Sequence, residues 1–248
     1  MFPGNVLLVV LMRREEVTFS ECPFIVAITS LFFELICGGT IVSSNYIVTA
    51  AHCLDDCPSL LVVAGEHDQT ILHLSERVRE VSLCHIHENY DRNFPYFNDI
   101  GLVKLTFPLI FEIYIPIFGV IADQYVKPVQ LPVKDSEPFG YAMLFGWGST
   151  SNTSEQSYPS ILQKALLPIM SQMYCKFLYQ EYFNGTGHIC AGDYNKGQCF
   201  GDSGGPLVQD NTIVGIVAHG FTPCTSNGPG VLVKVSAYVD WINGKLST

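Results

Sequence analysis

Gly201-Asp202-Ser203-Gly204-Gly205-Pro206 places one hydroxyl among three glycines. A structural turn rarely needs that many residues without side chains around one serine. A site that must admit a substrate backbone, and aim several backbone N–H groups at one point, does need them. Serine is a poor nucleophile until a neighbouring base takes its proton. Thr49-Ala50-Ala51-His52-Cys53 offers such a base, since imidazole titrates near neutrality. Asn98-Asp99-Ile100 adds a carboxylate at the head of an apolar run, suited to fixing the imidazole tautomer and stabilising its charged form. Taken singly, His52 and Asp99 read as ordinary core or surface residues; with Ser203 they make a nucleophile, a base and an orienting acid. The amides of Gly201 and Ser203 would hold the charge that develops on an attacked carbonyl oxygen. The predicted reaction is acyl transfer to water through an acyl-enzyme.

Outward from these segments, the 248 residues carry no repeat and are 48% hydrophobic, enough for one compact unit or two closely packed halves. Short runs rich in Val, Ile, Phe and Tyr are punctuated by glycine and proline, which predicts many strands joined by turns. Strands are expected over 23–28, 40–49, 60–64, 76–82 and 100–105, then 141–145, 161–168, 206–209, 213–218 and 230–235. Gly38-Gly39 and Ser43-Ser44-Asn45 read as turns. The one predicted helix is C-terminal, with Val235, Val239 and Ile242 at helical spacing and Gly244 ending it. Residues 126–138 carry three prolines and read as the connector between the halves.

The net charge of −10, with no basic stripe, argues against a nucleic-acid partner. The apolar stretches 6–12 and 109–122 are too short to span a bilayer, so no membrane partner is expected. Nine cysteines point to an oxidising compartment and a secreted, extracellular protein. A signal sequence is poorly formed in residues 1–12, so secretion rests on the cysteines and on the resemblance described next.

The segments TAAHC, NDIGLVKL and GDSGGP, in that order, resemble the chymotrypsin/trypsin family of serine proteases, and the likeness runs from about residue 15 to the C-terminus. It implies an all-β fold of two packed six-stranded antiparallel β-barrels, trypsin-like, with a C-terminal α-helix and the site in the cleft between the barrels. The barrels would cover about 23–125 and 139–235 and the helix about 236–244, behind an atypical segment 1–14. It also implies disulfides Cys37-Cys53, Cys175-Cys190 and Cys199-Cys224. A further bridge common in the family is absent, Ala142 and Gln209 standing at its two positions. Cys22, Cys57 and Cys84 remain, an odd number, so at least one is free or intermolecular. The resemblance implies protein or peptide substrates, protein protease inhibitors as further partners, a monomer and no cofactor. No metal is assigned: Cys84-His85-Ile86-His87 reads better as alternating strand residues, and Glu66, Asp68 and Glu76 resemble a calcium loop in which His73 replaces a carboxylate.

The same resemblance makes Gly197 the floor of the primary specificity pocket, Gln198 a polar wall, and Gly220 and Gly230 small walls, which predicts preference for large apolar or aromatic residues. Ala218 and His219 stand on the substrate-holding strand where a serine and a bulky aromatic are usual. Family members are activated when a new apolar N-terminus pairs with the aspartate beside the nucleophile, here Asp202. Counting back from Pro23 puts that terminus at Leu11, followed by Met12-Arg13-Arg14 and preceded by nothing basic. A buried, unpaired Asp202 would leave the oxyanion hole unbuilt. The alternative to a working endopeptidase is therefore an impaired homologue that acts by binding.

Overall fold

The computed structural model describes residues 14–115, 119–151, 157–193, 196–220, 224 and 228–247. A two-residue strand, β1 (Glu15–Glu16), comes first. Then β2 (Ile25–Ser30), β3 (Leu35–Ile41), β4 (Tyr46–Thr49), β5 (Leu60–Ala64), β6 (Arg77–Ile86) and β7 (Gly101–Leu105) close an antiparallel barrel in the order β2-β3-β4-β7-β6-β5. The sequences IVAITS, YIVT and LLVVA are rich in β-branched residues and almost wholly buried, as strands covered on both faces must be. Ile25, Ile28, Ile41, Ile47, Leu54, Leu60, Ile100 and Leu102 are among the largest fully buried side chains of this half.

Gly38-Gly39 lies inside β3 and is not the turn expected from sequence. A Cβ on Gly39 would come 2.8 Å from Ile47 Cγ2 and 3.0 Å from Val26 Cγ2, so this glycine makes room for the barrel's apolar filling. A Cβ on Gly38 would lie 2.9 Å from the Gly205 Cα, so its neighbour makes room for the second half of the molecule. Beyond the barrel, β8 (Glu112–Ile115) and β9 (Gly119–Ala122) pair as a separate antiparallel two-stranded sheet.

The second half holds β10 (Tyr141–Gly146), α1 (Gln172–Tyr179), and β11 (Gln163–Pro168), β12 (His188–Ala191), β13 (Pro206–Gln209), β14 (Thr212–His219) and β15 (Gly230–Lys234). With β1 these strands form a seven-stranded sheet, β1-β11-β10-β13-β14-β15-β12. The sheet curls: an Ile169–Ala191 bridge and a 2.9 Å bond from Met170 N–H to the Cys190 carbonyl bring the end of β11 to β12. β1 is the strand beyond the six expected, pairing Glu15 with Lys164 and Glu16 with Gln163 at the sheet edge. The C-terminal α2 (Val239–Leu246) follows a 3-10 turn over Val235–Tyr238 and buries Val239 and Ile242. α1 was not expected; Ser171 caps it by accepting the Tyr174 N–H, and Cys175 and Tyr179, one turn apart, face inward.

Four disulfides are present: Cys37–Cys53, Cys57–Cys84, Cys175–Cys190 and Cys199–Cys224. Of the three cysteines without a family partner, Cys57 and Cys84 therefore pair, tying the turn after His52 to β6. Cys22 is free and buried, and that burial pushes its thiol pKa up, away from thiolate reactivity.

The two halves are stitched by backbone. The Gly38 N–H donates to the Ser203 carbonyl at 2.8 Å, and the connector adds bonds from Val129 N–H to the Ile41 carbonyl and from Ile213 N–H to the Gln130 carbonyl. Gly204 sits in this seam at φ +74°, where a Cβ would meet Thr49 Oγ1 at 2.1 Å and the Gly38 carbonyl oxygen at 2.5 Å. Gly204→Ala should therefore destabilise the fold by about 2–3 kcal/mol, seen as a lowered denaturant midpoint at unchanged slope; an unchanged midpoint would show that the seam can open by more than a methyl group.

Candidate active site

The 3-10 turn Ala51–Leu54 follows β4 and carries His52, pinned by the Cys37–Cys53 bridge one residue on. Asp99 immediately precedes the strand run that leads into β7 and is fully buried. Both its oxygens accept from one residue: Oδ2 from His52 Nδ1 at 2.7 Å, and Oδ1 from the His52 backbone N–H at 2.9 Å. This fixes the proton on Nδ1 and turns the other ring nitrogen away from Asp99. Burial lowers the His52 pKa, but the hydrogen bond and charge of Asp99, with Asp55 adding, outweigh it and the net shift is upward.

Ser203 is brought to the same place by main chain. Its carbonyl accepts the Gly38 N–H, next to the bridged Cys37, and Gly204 would press a Cβ to 3.2 Å from Cys53 Sγ. No hydrogen bond joins Ser203 Oγ to a described residue; such bonds are often long in unliganded sites and shorten with substrate. Gly201 adopts φ +93°, and neither its N–H nor that of Ser203 donates to an acceptor among the described residues. These two amides, on either side of Asp202, are thus left for an external acceptor.

Asp202 is buried at 0% side-chain exposure, and it is not unpaired. Oδ1 accepts from Gly148 N–H at 3.0 Å and Oδ2 from Cys199 N–H at 2.8 Å. Arg14 completes the set: Nη1 donates to Oδ1 at 3.1 Å and Nη2 to Oδ2 at 2.5 Å. The expectation of a carboxylate stranded for want of a terminus is overturned, because an internal side chain reaches it. Leu11, where counting back from Pro23 puts an activation terminus, lies outside the described residues. The Gly146-Trp147-Gly148 segment now has a physical reason, since a Cβ on Gly146 or Gly148 would come within 2.3 or 2.4 Å of the Asp202 carboxylate.

Around the expected specificity residues, Gly197 offers its carbonyl to Arg14 Nη2 at 3.1 Å. Gln198 is buried and crosses between Gly220 and Gly230: its Nε2 donates to the His219 carbonyl at 2.6 Å and lies 3.5 Å from where a Gly220 Cβ would be. A Cβ on Gly230 would meet the Gln198 side chain at 2.4 Å, and Gln198 Oε1 is buried without a partner. Ala218 and His219 end β14. His219 is walled by Phe94 at 5.3 Å, His188 at 6.0 Å, Tyr179 at 6.3 Å and Tyr96 at 6.4 Å between ring centroids. Burial holds its pKa down to about 4 and keeps the ring neutral, so it presents itself as one more aromatic wall.

Two hollows of about 380 Å³ flank this strand end. One is lined by His52, Asp55, Tyr90, Arg92, Tyr96 and Ala218, the other by Phe94, Tyr179, Tyr182, His219 and Gly220 among others. Sequence reasoning missed these aromatics, which come from the loop between β6 and β7 and from the end of α1 and the turn after it, with no motif between them. It also missed Asp55 and the role of Arg14. As for metals, the only group of three donor atoms close enough to share an ion among the described residues is Cys37, His52 and Cys53, whose sulfurs are bonded to each other. Cys84 is likewise committed to a disulfide, and Glu76 accepts the His73 backbone N–H within the acidic loop.

A sequence model described as Trypsin matches residues 12–242. Trypsin-1 from Astacus astacus is 37% identical over 219 residues, covering 83% of this chain and 86% of its own length. Trypsin from Sus scrofa is 35% identical over 208 residues, covering 83% of each. Among solved structures, neuropsin, a serine protease expressed in the limbic system of mouse brain, superposes with a TM-score of 0.83 at 29% identity, over 94% of this chain and 99% of that one. On fold, motif order and these likenesses, the chain belongs to the trypsin family of serine endopeptidases.

Proposed function

We propose that the protein is a secreted serine endopeptidase that cleaves after large apolar or aromatic residues, with His52, Asp99 and Ser203 as its catalytic triad. The observation that carries this reading is the His52–Asp99 pair facing a loop whose Gly201 and Ser203 amides have no described acceptor. Ser203 Oγ attacks the scissile carbonyl while the ring nitrogen of His52 turned away from Asp99 takes its proton; His52 then passes that proton to the leaving amine. Asp99 stabilises the imidazolium without taking the proton. The two amides hold the oxyanion, and losing one such donor typically costs about 10²–10³ in turnover. Water then repeats the sequence on the acyl-enzyme. Deacylation regenerates the free Ser203 hydroxyl.

A serine-directed organophosphorus probe tests the site: the parent chain should be labelled at Ser203, and Ser203→Ala should be neither labelled nor active. Absence of label on the parent, intact or proteolytically processed, sinks the peptidase and leaves a binding protein.

Preference for apolar residues is supported by Gly197, which puts no carboxylate at the pocket floor, and by the small walls Gly220 and Gly230. An aromatic side chain entering there must displace the Gln198 amide, whose Oε1 is unsatisfied where it now rests. Phe, Tyr and Leu substrates should therefore be cleaved faster than Arg or Lys substrates, and Gln198→Ala should raise kcat/KM for Phe and Tyr. Faster Arg or Lys cleavage refutes the assignment.

Because His52 acts only when neutral, activity should rise with pH through the raised His52 pKa. Asp55→Asn removes a negative charge that favours the imidazolium and frees Arg92, whose positive charge disfavours it. Both changes make His52 give up its proton at lower pH, so the acid limb of kcat/KM should move down. A limb that stays in place, or moves up, would show that Asp55 is not coupled to the base.

A further inference from the structure

We propose that Arg14 is the positioning residue of the oxyanion loop, so that the uncut chain carries an assembled active site. This rests on the peptidase reading and adds to it a regulatory consequence: activation needs no new N-terminus. The guanidinium occupies the place beside Asp202 that a terminal ammonium would take. It does more there than a point charge could. Nη1 and Nη2 each engage one carboxylate oxygen, Nη2 also donates to the Gly197 carbonyl at 3.1 Å, and Nη1 also donates to the Gly148 carbonyl at 3.4 Å. One planar fork thus ties together the segment before the nucleophile, the floor of the specificity pocket and the Gly146–Gly148 segment. Only Nε is left without a partner.

The fork is aimed by chain that follows it and not by a free end. β1 pairs Glu15 with Lys164 and Glu16 with Gln163, and the Val17 N–H donates to the Leu162 carbonyl at 2.9 Å with Val17 itself buried. Arg14 is therefore held at the mouth of the Asp202 pocket by three consecutive residues of sheet edge. Its side chain is 3% exposed, so a protease specific for basic residues cannot take it as a substrate without first withdrawing it from Asp202. A cut between Arg14 and Glu15 would separate the guanidinium from its anchor.

The chemistry of the two cations separates the mechanisms. A guanidinium keeps its charge throughout the working range, whereas an α-ammonium loses it near pH 8 and a lysine ammonium near pH 10.4. Chain shown by mass spectrometry to be uncut between Arg14 and Glu15 should react at Ser203 with the organophosphorus probe, and its kcat should show no alkaline loss from pH 8 to about 10. Arg14→Lys should retain part of the activity and acquire an alkaline limb that the parent lacks, which a merely structural residue would not introduce. Arg14→Met should lose about 100-fold or more in kcat with a smaller change in KM. Its thermal unfolding is followed alongside, and if Arg14→Met does not fold, the Arg14→Lys pH profile decides. Labelling only after cleavage, an alkaline fall in the parent near the α-ammonium range, or full kcat in Arg14→Met overturns the role of Arg14 and leaves the peptidase standing. If neither cut nor uncut chain reacts, the peptidase reading itself has failed.

Discussion

A carboxylate with no exposure to solvent has to be answered by donors, and Asp202 is where this molecule meets that demand most completely. Its two oxygens collect two backbone N–H groups and a bidentate guanidinium from parts of the chain separated by up to 188 residues. Desolvating both charges is expensive, and removing one partner of such a pair typically costs about 3–5 kcal/mol because the other is left buried and unanswered. That penalty makes the arrangement specific. The Ser203 loop, the Gly146–Gly148 segment and the Gly197 carbonyl cannot move independently while the pair is intact, and the glycines on either side of Trp147 are the space the carboxylate occupies.

A second constraint is the seam between the halves. Gly38, Gly204 and Gly205 let main chain approach main chain, so the Ser203 carbonyl is bonded to β3 while the His52 turn is tethered to the same strand through Cys37–Cys53. Ser203 and His52 thus belong to different halves but share one strand as their reference.

The candidate site was legible because a serine among three glycines keeps its meaning out of context, whereas His52 and Asp99, ordinary when taken singly, gained theirs only beside it. Barrel strands such as IVAITS and YIVT were legible from their short β-branched runs bounded by turn residues. Gly38-Gly39 was misread because glycine marks a turn and a close approach with the same letter, and only the partner, Ile47 on one side and Gly205 on the other, tells them apart. α1 was hidden because Tyr174, Phe177 and Tyr179 carry aromatic side chains common in strands, and its cap, Ser171, is a residue common in loops. Arg14 had no local signal at all. Its bonds to Asp202 depend on a β1–β11 pairing between segments far apart in sequence, which no local pattern announces.

The replacement of the usual hydroxyl by Ala218 bears on the electrostatics of the base. Among the described residues, Asp99 receives hydrogen bonds only from His52, one from the ring and one from the backbone. A further donor would share the carboxylate's charge and weaken its hold on the imidazole proton; without one, its acceptor strength is directed at a single residue. Burial alone would depress the basicity of His52, as it does for the neighbouring His219 and His188, both kept neutral in the same cleft. His52 departs upward instead because Asp99 faces it at 2.7 Å with no competing donor. The upward shift of His52 thus sets its titration apart from that of two aromatic-walled imidazoles nearby, both lowered by burial.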